Sequence, residues 1–214
     1  KRTAELIRPI LRGRDIKRYG YEWANLWLIN THNGIKGKLE RIHIEDYPAV
    51  KAHLDQFWDK IKDRADQGDT PYNLRNCAYL EEFFKPKVMY PNMTKYIPFY
   101  YDTRGFYQND KSFMITGRHI AFLTAFLNSS IFKFCFLNNF PELQGGTREL
   151  RKVFFDKIPV IQIDDKLNEQ FASLISDMQN NPTVEKAKSI DELLFDVYGL
   201  TDAERDVIGF IEIQ

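Results

Sequence analysis

A broken apolar run constrains the fold of this 214-residue chain more than any other feature. The segment IAFLTAFLNSSIFKFCFL (120–137) is long, but Asn128, Ser129, Ser130 and Lys133 interrupt it. A helix that spans hydrocarbon rarely tolerates such interruptions. The run therefore predicts two core helices, over 118–127 and 131–137, with the Asn-Ser-Ser step as a break or cap.

Composition indicates a globular protein with a proper core, since 43% of the residues are hydrophobic. Cys77 and Cys135 stand in apolar or aromatic surroundings, which predicts buried free thiols and a reducing, cytoplasmic setting. No signal-peptide pattern follows Lys1, and the absence of an initial methionine indicates a segment of a longer protein.

Charge is unevenly distributed along the chain although its formal sum is zero. Residues 1–155 hold 25 Lys and Arg against 17 Asp and Glu, whereas residues 156–214 hold 5 against 13. Such asymmetry points to a polyanion as the partner of the basic part. It also arises when two parts of one chain pack on each other.

Hydrophobic patterning predicts an α+β fold: a mixed β-sheet with packed helices, followed by a helical C-terminal segment. The first domain is predicted over 1–163 and the helical segment over 164–214. Predicted strands lie at 6–11, 26–30, 87–90 and 113–115, with a β-hairpin across PFYYDTRGFYQND (98–110) and a last strand within 150–163.

The predicted helices follow from apolar residues at three-to-four spacing. Pro48 opens a helix over 47–66, in which Val50, Leu54, Phe57, Trp58 and Ile61 form one buried face. Beyond residue 164 we predict one helix with Phe171 and Met178 on its buried face, a second from Pro182 to Tyr198, and a third that starts with a Thr201–Glu204 capping box.

Residue patterns for catalysis are missing. The four histidines and two cysteines have no metal-ligand spacing, and no glycine-rich phosphate loop occurs. Gly145 and Gly146 instead suggest unusual backbone angles or a close approach of two chain segments. We therefore expect this chain by itself to be non-catalytic, with no cofactor of its own.

Cations interleaved with aromatic and amide side chains recur in the predicted loops: Arg12, Arg14, Lys17 and Arg18 in LRGRDIKRYG, then Lys95 and Tyr96, then Arg104, Asn109 and Lys111. Arg and Lys contact guanine edges or phosphate in DNA complexes, and Asn and Gln contact adenine. The residues alone leave open whether these loops bind DNA or are solvated turns.

Eight segments in order resemble the TaqI-like C-terminal specificity domain. They are LRGRDIKRY, LWLIN, YPAVKAHLDQFWDKIKDRADQG, YNLRNCAYLEEFFKPKVMYP, FYYDTRGFYQND, ITGRHIAFLTAFLNSSIFKF, GGTRELRKVFFDKIPV and IDELLFDVYGLTDAERDVI, and they run from about residue 8 to 210.

The resemblance implies a target-recognition domain that binds double-stranded DNA for a methyltransferase domain of the same chain. That neighbour would use S-adenosylmethionine to methylate adenine, and a fused nuclease would add Mg²⁺. The implied DNA-binding residues are Arg12, Arg14, Lys17, Arg18, Lys95, Tyr96, Arg104, Asn109, Lys111 and Arg148. A membrane is not expected. The alternative hypothesis is a protein-interaction domain that docks through its acidic helical end.

Overall fold

The computed structural model describes residues 2–211. These residues form two compact units. The first unit contains the chain up to Ile10, Asn25–Phe84 and Gly105–Tyr107, and the second contains Leu11–Ala24, Lys85–Arg104 and the chain from Gln108 onward.

The described residues contain ten strands and eight α-helices, which confirms the predicted α+β class. The strands are β1 (Ile7–Leu11), β2 (Ile16–Lys17), β3 (Gly20–Tyr21), β4 (Trp27–Ile29), β5 (Lys87–Pro91), β6 (Met93–Thr94), β7 (Tyr100–Asp102), β8 (Tyr107–Gln108), β9 (Ser112–Ile115) and β10 (Arg148–Glu149). The helices are α1 (Pro48–Asp55), α2 (Trp58–Ile61), α3 (Ile120–Leu127), α4 (Ser130–Asn139), α5 (Lys152–Phe155), α6 (Asp165–Asn180), α7 (Val184–Val197) and α8 (Asp202–Ile208).

The first unit is built on a small sheet in the order β4-β1-β8. Strands β1 and β4 are antiparallel, with Ile7 opposite Ile29 and Pro9 opposite Trp27. A compact cluster of Leu6, Ile44 and Val50 forms the centre of its core.

The single helix predicted over 47–66 is wrong. Pro48 does open a helix, but α1 ends at Asp55 and a separate short helix, α2, follows after Phe57. The small core of this unit covers Val50, whereas Phe57 and Trp58 remain exposed. Because no larger core lies beneath them, the apolar spacing does not enforce one continuous helix.

The second unit holds an antiparallel sheet in the order β7-β5-β9. The central strand β5 is buried along its whole length, as predicted for residues 87–90. Val88 lies opposite Tyr101 on one side and Ile115 on the other. A large aromatic core joins this sheet to helices α3, α4, α6 and α7.

The predicted hairpin over 98–110 is also wrong. Strand β7 pairs with β5, whereas β8 joins the sheet that contains β1. Gly105 adopts a φ of +75° between them. The buried Lys87–Asp102 ion pair fixes the end of β7 to β5. The chain after Asp102 then leaves this sheet, and β8 pairs elsewhere instead of with β7.

Helices dominate the C-terminal part, as predicted, but the strand predicted within 150–163 is wrong, because α5 and irregular chain occupy that segment. The Thr201–Glu204 capping box is confirmed. Phe171 of α6 packs on Phe122 of α3 with ring centroids 5.3 Å apart. The division at residue 163 stays a prediction, since helices on both sides of it contribute to one core.

The broken apolar run folds as predicted. Helices α3 and α4 meet at an angle of 66°, and Ser129 caps α4 by accepting a hydrogen bond from the Phe132 N–H at 3.1 Å. Within residues 2–211, no single helix is long and apolar enough to cross a membrane; only the bent pair α3 and α4 together has that length and composition.

Both cysteines are free thiols, and each is half-buried rather than fully buried. Burial raises the pKa of the Cys135 thiol.

The buried ion pair gives the first prediction. Lys87 and Asp102 have fully buried side chains, and burial lowers the pKa of Lys87 although Asp102 opposes this. Asp102→Ala removes one partner of this fully buried ion pair, so we expect a loss of about 3–5 kcal/mol in the free energy of unfolding, measured by urea denaturation. The Asp102→Leu/Lys87→Met double variant should recover much of that loss.

The matched control is the exposed pair of Asp110 and Lys111, whose Nζ–Oδ2 distance is 2.8 Å. Asp110→Ala should leave the unfolding midpoint nearly unchanged. Equal effects of Asp102→Ala and Asp110→Ala would contradict the importance of the buried pair.

Candidate nucleic-acid interface

The segment LRGRDIKRYG folds into a single 3₁₀ turn, Gly13–Asp15, followed by the tight hairpin of β2 and β3. Arg18 and Tyr19 form the hairpin turn, and Tyr19 adopts the left-handed region with a φ of 57°. Its backbone N–H donates to the Phe99 carbonyl at 2.9 Å. The hairpin tip is therefore anchored to the large core and does not behave as a loose solvated loop.

Arg12 is committed to the turn that it precedes. Its backbone N–H donates to Oδ2 of Asp15 at 2.9 Å, and its Nη2 donates to Oδ1 at 2.7 Å. Burial opposes ionisation of Asp15, but the hydrogen bonds from Arg12 outweigh it and lower the pKa of this carboxyl. Arg12 thus stabilises the turn, and Arg14 within that turn is exposed.

Gly13 allows two loops to approach each other. A Cβ atom on Gly13 would lie 2.3 Å from the Lys111 carbonyl oxygen and 3.2 Å from Cβ of Pro91. The first distance is shorter than any real contact, so only glycine fits without movement of the backbone. The turn after β1 and the loop before β9 are therefore locked side by side.

A cleft of about 880 Å³ brings together cations that are distant in the sequence. We call it the basic cleft and define it by five residues: Arg14, Lys17, Lys95, Tyr96 and Lys133. Nζ of Lys17 lies 3.4 Å from Oε2 of Glu22, which is the one acidic residue among the described residues that line the cleft. Among residues 2–211, the other three cations have no ion pair. The basic cleft therefore presents a surplus of positive charge to an anion.

Lys95 and Tyr96 are held in place by a short turn. Oγ1 of Thr94 accepts a hydrogen bond from the Tyr96 N–H at 3.1 Å and donates to the Tyr96 carbonyl at 2.5 Å. Strand β6 pairs with β10, and a Cβ on Gly146 would lie 3.3 Å from Cε of Lys95. Gly145 and Gly146 both adopt the unusual backbone angles that the sequence suggests, with φ of 77° and 78°, and only Gly146 lies close to another segment. The Tyr96 ring is left 56% exposed.

Arg18 lines the basic cleft and connects it to the core. Its Nε and Nη2 donate to the Asn128 carbonyl at 3.1 and 2.8 Å. Asn128 is fully buried; its Oδ1 accepts from the Phe99 N–H at 3.2 Å and its Nδ2 donates to the Phe99 carbonyl at 2.8 Å. Arg18 thus attaches the hairpin tip to the break between α3 and α4 through Nε and Nη2.

A buried carboxyl group, that of Asp191, lies near the contact between Arg18 and Asn128. Asp191 of α7 accepts hydrogen bonds from the Ser130 N–H at 2.9 Å and from the Ser130 hydroxyl at 2.5 Å. The Ile211 N–H donates to the same hydroxyl oxygen at 2.7 Å. This network attaches the last described residue to the start of α4, which carries Lys133.

The remaining predicted DNA-binding residues lie outside the basic cleft. Arg104 bonds through Nη1 to the Tyr21 hydroxyl, and its backbone N–H donates to Asp102 at 2.9 Å. Asn109 accepts from the Lys111 N–H at 3.2 Å. Arg148 bonds to the Phe140 carbonyl, and its Nη2 lies 3.1 Å from Glu142. No described contact of these four side chains tests their predicted role on DNA.

Sequence reasoning missed three residues that shape the site. Lys133 stands in the sequence only as an interruption of an apolar run, yet it lines the basic cleft. Asn128 bonds to Arg18, which lines the cleft, and Asp191 bonds to Ser130 at the start of the helix that carries Lys133; the two residues are 63 positions apart. The polar step Asn-Ser-Ser in an apolar run was the available signal for Asn128, whereas no local pattern marks Asp191 as buried.

Residues 2–211 contain no group of three or more His, Cys, Asp or Glu side chains that could hold a metal ion. The pKa values of several tyrosines are raised by burial, and that of Tyr90 reaches about 12, which indicates core positions for these hydroxyls.

The buried Asp191 gives a pH prediction. Burial raises its pKa above the ordinary 3.8, although hydrogen bonds from Ser130 and the charge of Arg18 oppose the shift. The unfolded chain therefore ionises first as pH rises, and this carboxyl lowers the free energy of unfolding progressively above about pH 4. Asp191→Asn should become more stable relative to the wild type between pH 4 and 7, measured by urea denaturation. A difference that stays constant over this range would contradict the prediction.

The sequence of this chain matches the model of a known protein family. The family model of the TaqI-like C-terminal specificity domain matches residues 8–160, more than two-thirds of the chain. The match includes all five residues that define the basic cleft and ends before α6. Specificity domains of this kind serve DNA-sequence recognition in restriction-modification enzymes. The chain belongs to the family of TaqI-like C-terminal specificity domains.

Proposed function

We propose that this chain is the DNA-recognition domain of a type II restriction-modification enzyme. It binds duplex DNA and fixes its register so that a neighbouring S-adenosylmethionine-dependent domain methylates an adenine. The observation that carries the proposal is the basic cleft, in which cations from four separate segments converge within a specificity-domain fold.

The cations of the basic cleft are proposed to supply affinity for DNA phosphate. Arg14, Lys95 and Lys133 have no ion pair among the described residues, so phosphate binding replaces counterions and solvent rather than a protein partner. Arg14, Lys17 and Lys95 are proposed as phosphate contacts. Arg12, Arg18 and Arg148, whose guanidinium groups are engaged within the protein, are proposed to position the loops that make those contacts.

Base reading is proposed for the loop residues outside the cleft. Arg104 is exposed, and its Cζ lies 6.0 Å from the centroid of the Tyr21 ring. Its Nη1 also bonds to the Tyr21 hydroxyl, so two contacts hold the guanidinium beside this ring. Asn109 and Lys111 occupy the loop that Gly13 holds against the first turn. Arginine, lysine and asparagine are the side chains that read guanine and adenine edges in the major groove.

The proposed partners follow from that role. The methyltransferase domain of the same chain would supply S-adenosylmethionine chemistry, and a fused nuclease would require Mg²⁺. The acidic helices α6–α8 are proposed to face that catalytic part, because phosphate repels them. Cytoplasmic DNA is the proposed substrate, in agreement with the reducing compartment expected from two free thiols.

The first functional test is a salt series of binding to a randomised duplex pool, with sequencing of the retained DNA. We expect one short motif to be enriched and log K to fall linearly with log salt concentration. Lys95→Ala should weaken binding to all sequences alike and reduce the salt slope by about 1. Lys152→Ala is the matched control: Lys152 is an exposed lysine that does not line the cleft, and its removal should leave the slope unchanged.

Two results would contradict the proposal. Retention without enrichment would show a domain that holds only the backbone. No retention at low salt, together with self-association through α6–α8, would favour the second candidate function, a protein-interaction domain that docks by its acidic end.

Arg104 gives a separate prediction about specificity. Arg104→Ala should relax one base position of the enriched motif, at a cost of about 1–3 kcal/mol for the preferred base, while other positions keep their preference. Arg118→Ala removes another exposed arginine, 3.6 Å from Asp165, and should leave the motif unchanged. A uniform loss of affinity in Arg104→Ala would assign this residue to phosphate instead.

A further inference from the structure

The basic cleft has an apolar wall that paired DNA does not explain. Three exposed apolar side chains line it together with the cations: Met93, Leu137 and Phe210. Leu137 is 52% exposed and Phe210 is 45% exposed. Apolar surface of this kind, rimmed by charge, marks a site that a ligand or partner covers.

Paired DNA satisfies only half of this surface. The faces of its bases are stacked on one another, so a duplex presents phosphates to the cations and only thymine methyl groups and deoxyribose edges to the wall, with no flat face for the Tyr96 ring. A nucleotide outside the stack presents both a phosphate and a flat base. Sites for unpaired strands combine these same two elements, a cationic groove and an exposed aromatic ring.

We propose that the basic cleft binds an unpaired nucleotide of the DNA strand. The base stacks on Tyr96 and lies against Leu137, while its phosphates contact Arg14, Lys95 and Lys133. The inference rests on the proposed function, because DNA binding by this domain brings the strand to the cleft.

The dimensions and rigidity of the cleft fit this ligand. Its volume of about 880 Å³ lies within the usual range for small-molecule sites, about 300–1,000 Å³. The backbone of Tyr96 is fixed by two hydrogen bonds with Thr94 Oγ1, so presenting its ring for stacking costs little backbone entropy. An acidic amphipathic peptide would match the charge, but it would not require the flat face of Tyr96.

The test compares three labelled duplexes that differ at one central position: fully paired, with one extra unpaired adenosine, and with one extra abasic site. Both bulges bend the DNA, so their difference isolates the base. By fluorescence anisotropy at low salt, we expect the 214-residue chain to bind the adenosine bulge about tenfold more tightly than the abasic bulge.

Leu137→Gln removes part of the apolar wall without changing charge. It should abolish most of the adenosine-over-abasic preference and leave affinity for the paired duplex unchanged. Phe134→Gln is the matched control on the same helix: Phe134 is 46% exposed but does not line the cleft, and its replacement should keep the preference.

A second readout does not depend on these variants. An unpaired 2-aminopurine in the bulge should lose fluorescence when it stacks on Tyr96, and Tyr96→Leu should restore the emission. Constant emission on saturation by the wild-type chain would overturn the inference.

The remaining outcomes separate the two proposals. Equal affinity for adenosine and abasic bulges, with salt-dependent binding of the paired duplex, would overturn the unpaired-nucleotide site and leave the proposed function standing. No binding to any of the three duplexes would overturn both. Leu137-dependent binding of a Glu- and Leu-rich peptide, with equal affinity for both bulges, would reassign the cleft to a protein partner.

Discussion

The amide of Asn128 is the interaction on which most of the second unit depends. The side-chain amide pairs with both backbone polar groups of Phe99, and the backbone carbonyl of Asn128 accepts hydrogen bonds from the Arg18 guanidinium. One buried residue thus joins the chain before β7, the break between α3 and α4, and the tip of the β2–β3 hairpin. Each unmade bond in such a place would cost about 1–3 kcal/mol, which explains why a polar residue stands within an apolar run.

The site combines arginines that bond within the protein with cations that have no ion pair among the described residues. Arg12 bonds to Asp15, and Arg18 bonds through Nε and Nη2 to the backbone carbonyl of Asn128, which helps to fix the backbone between them. Arg14 lies between these two anchors and has no ion pair among the described residues. Within LRGRDIKRYG, Arg12 and Arg18 therefore bond inside the protein, whereas Arg14 and Lys17 are exposed, and their role on DNA stays a prediction.

Local patterns predicted the elements whose burial is decided nearby. The buried strand β5, the Ser129 cap and the Thr201–Glu204 capping box follow from short-range chemistry. The long helix after Pro48 and the hairpin after Pro98 were wrong because their outcome depends on distant packing. The small core under Val50 and the Lys87–Asp102 pair decided them. The convergence of Lys133 with Arg14 and Lys95 is a tertiary property, and no spacing in the sequence encodes it.

The close approach of Gly13 to the Lys111 carbonyl has a consequence for how such a domain diversifies. Because the two loops are locked at that one point, residues on either side of it can change identity without moving the backbone that presents them. A laboratory library that randomises Arg14, Lys17, Lys95 and Tyr96 while retaining Gly13 and Asn128 would therefore sample new binding preferences on an unchanged frame. Insertions next to Gly13 would instead shift both loops together, so length variation is better placed at the exposed turn of Gly145.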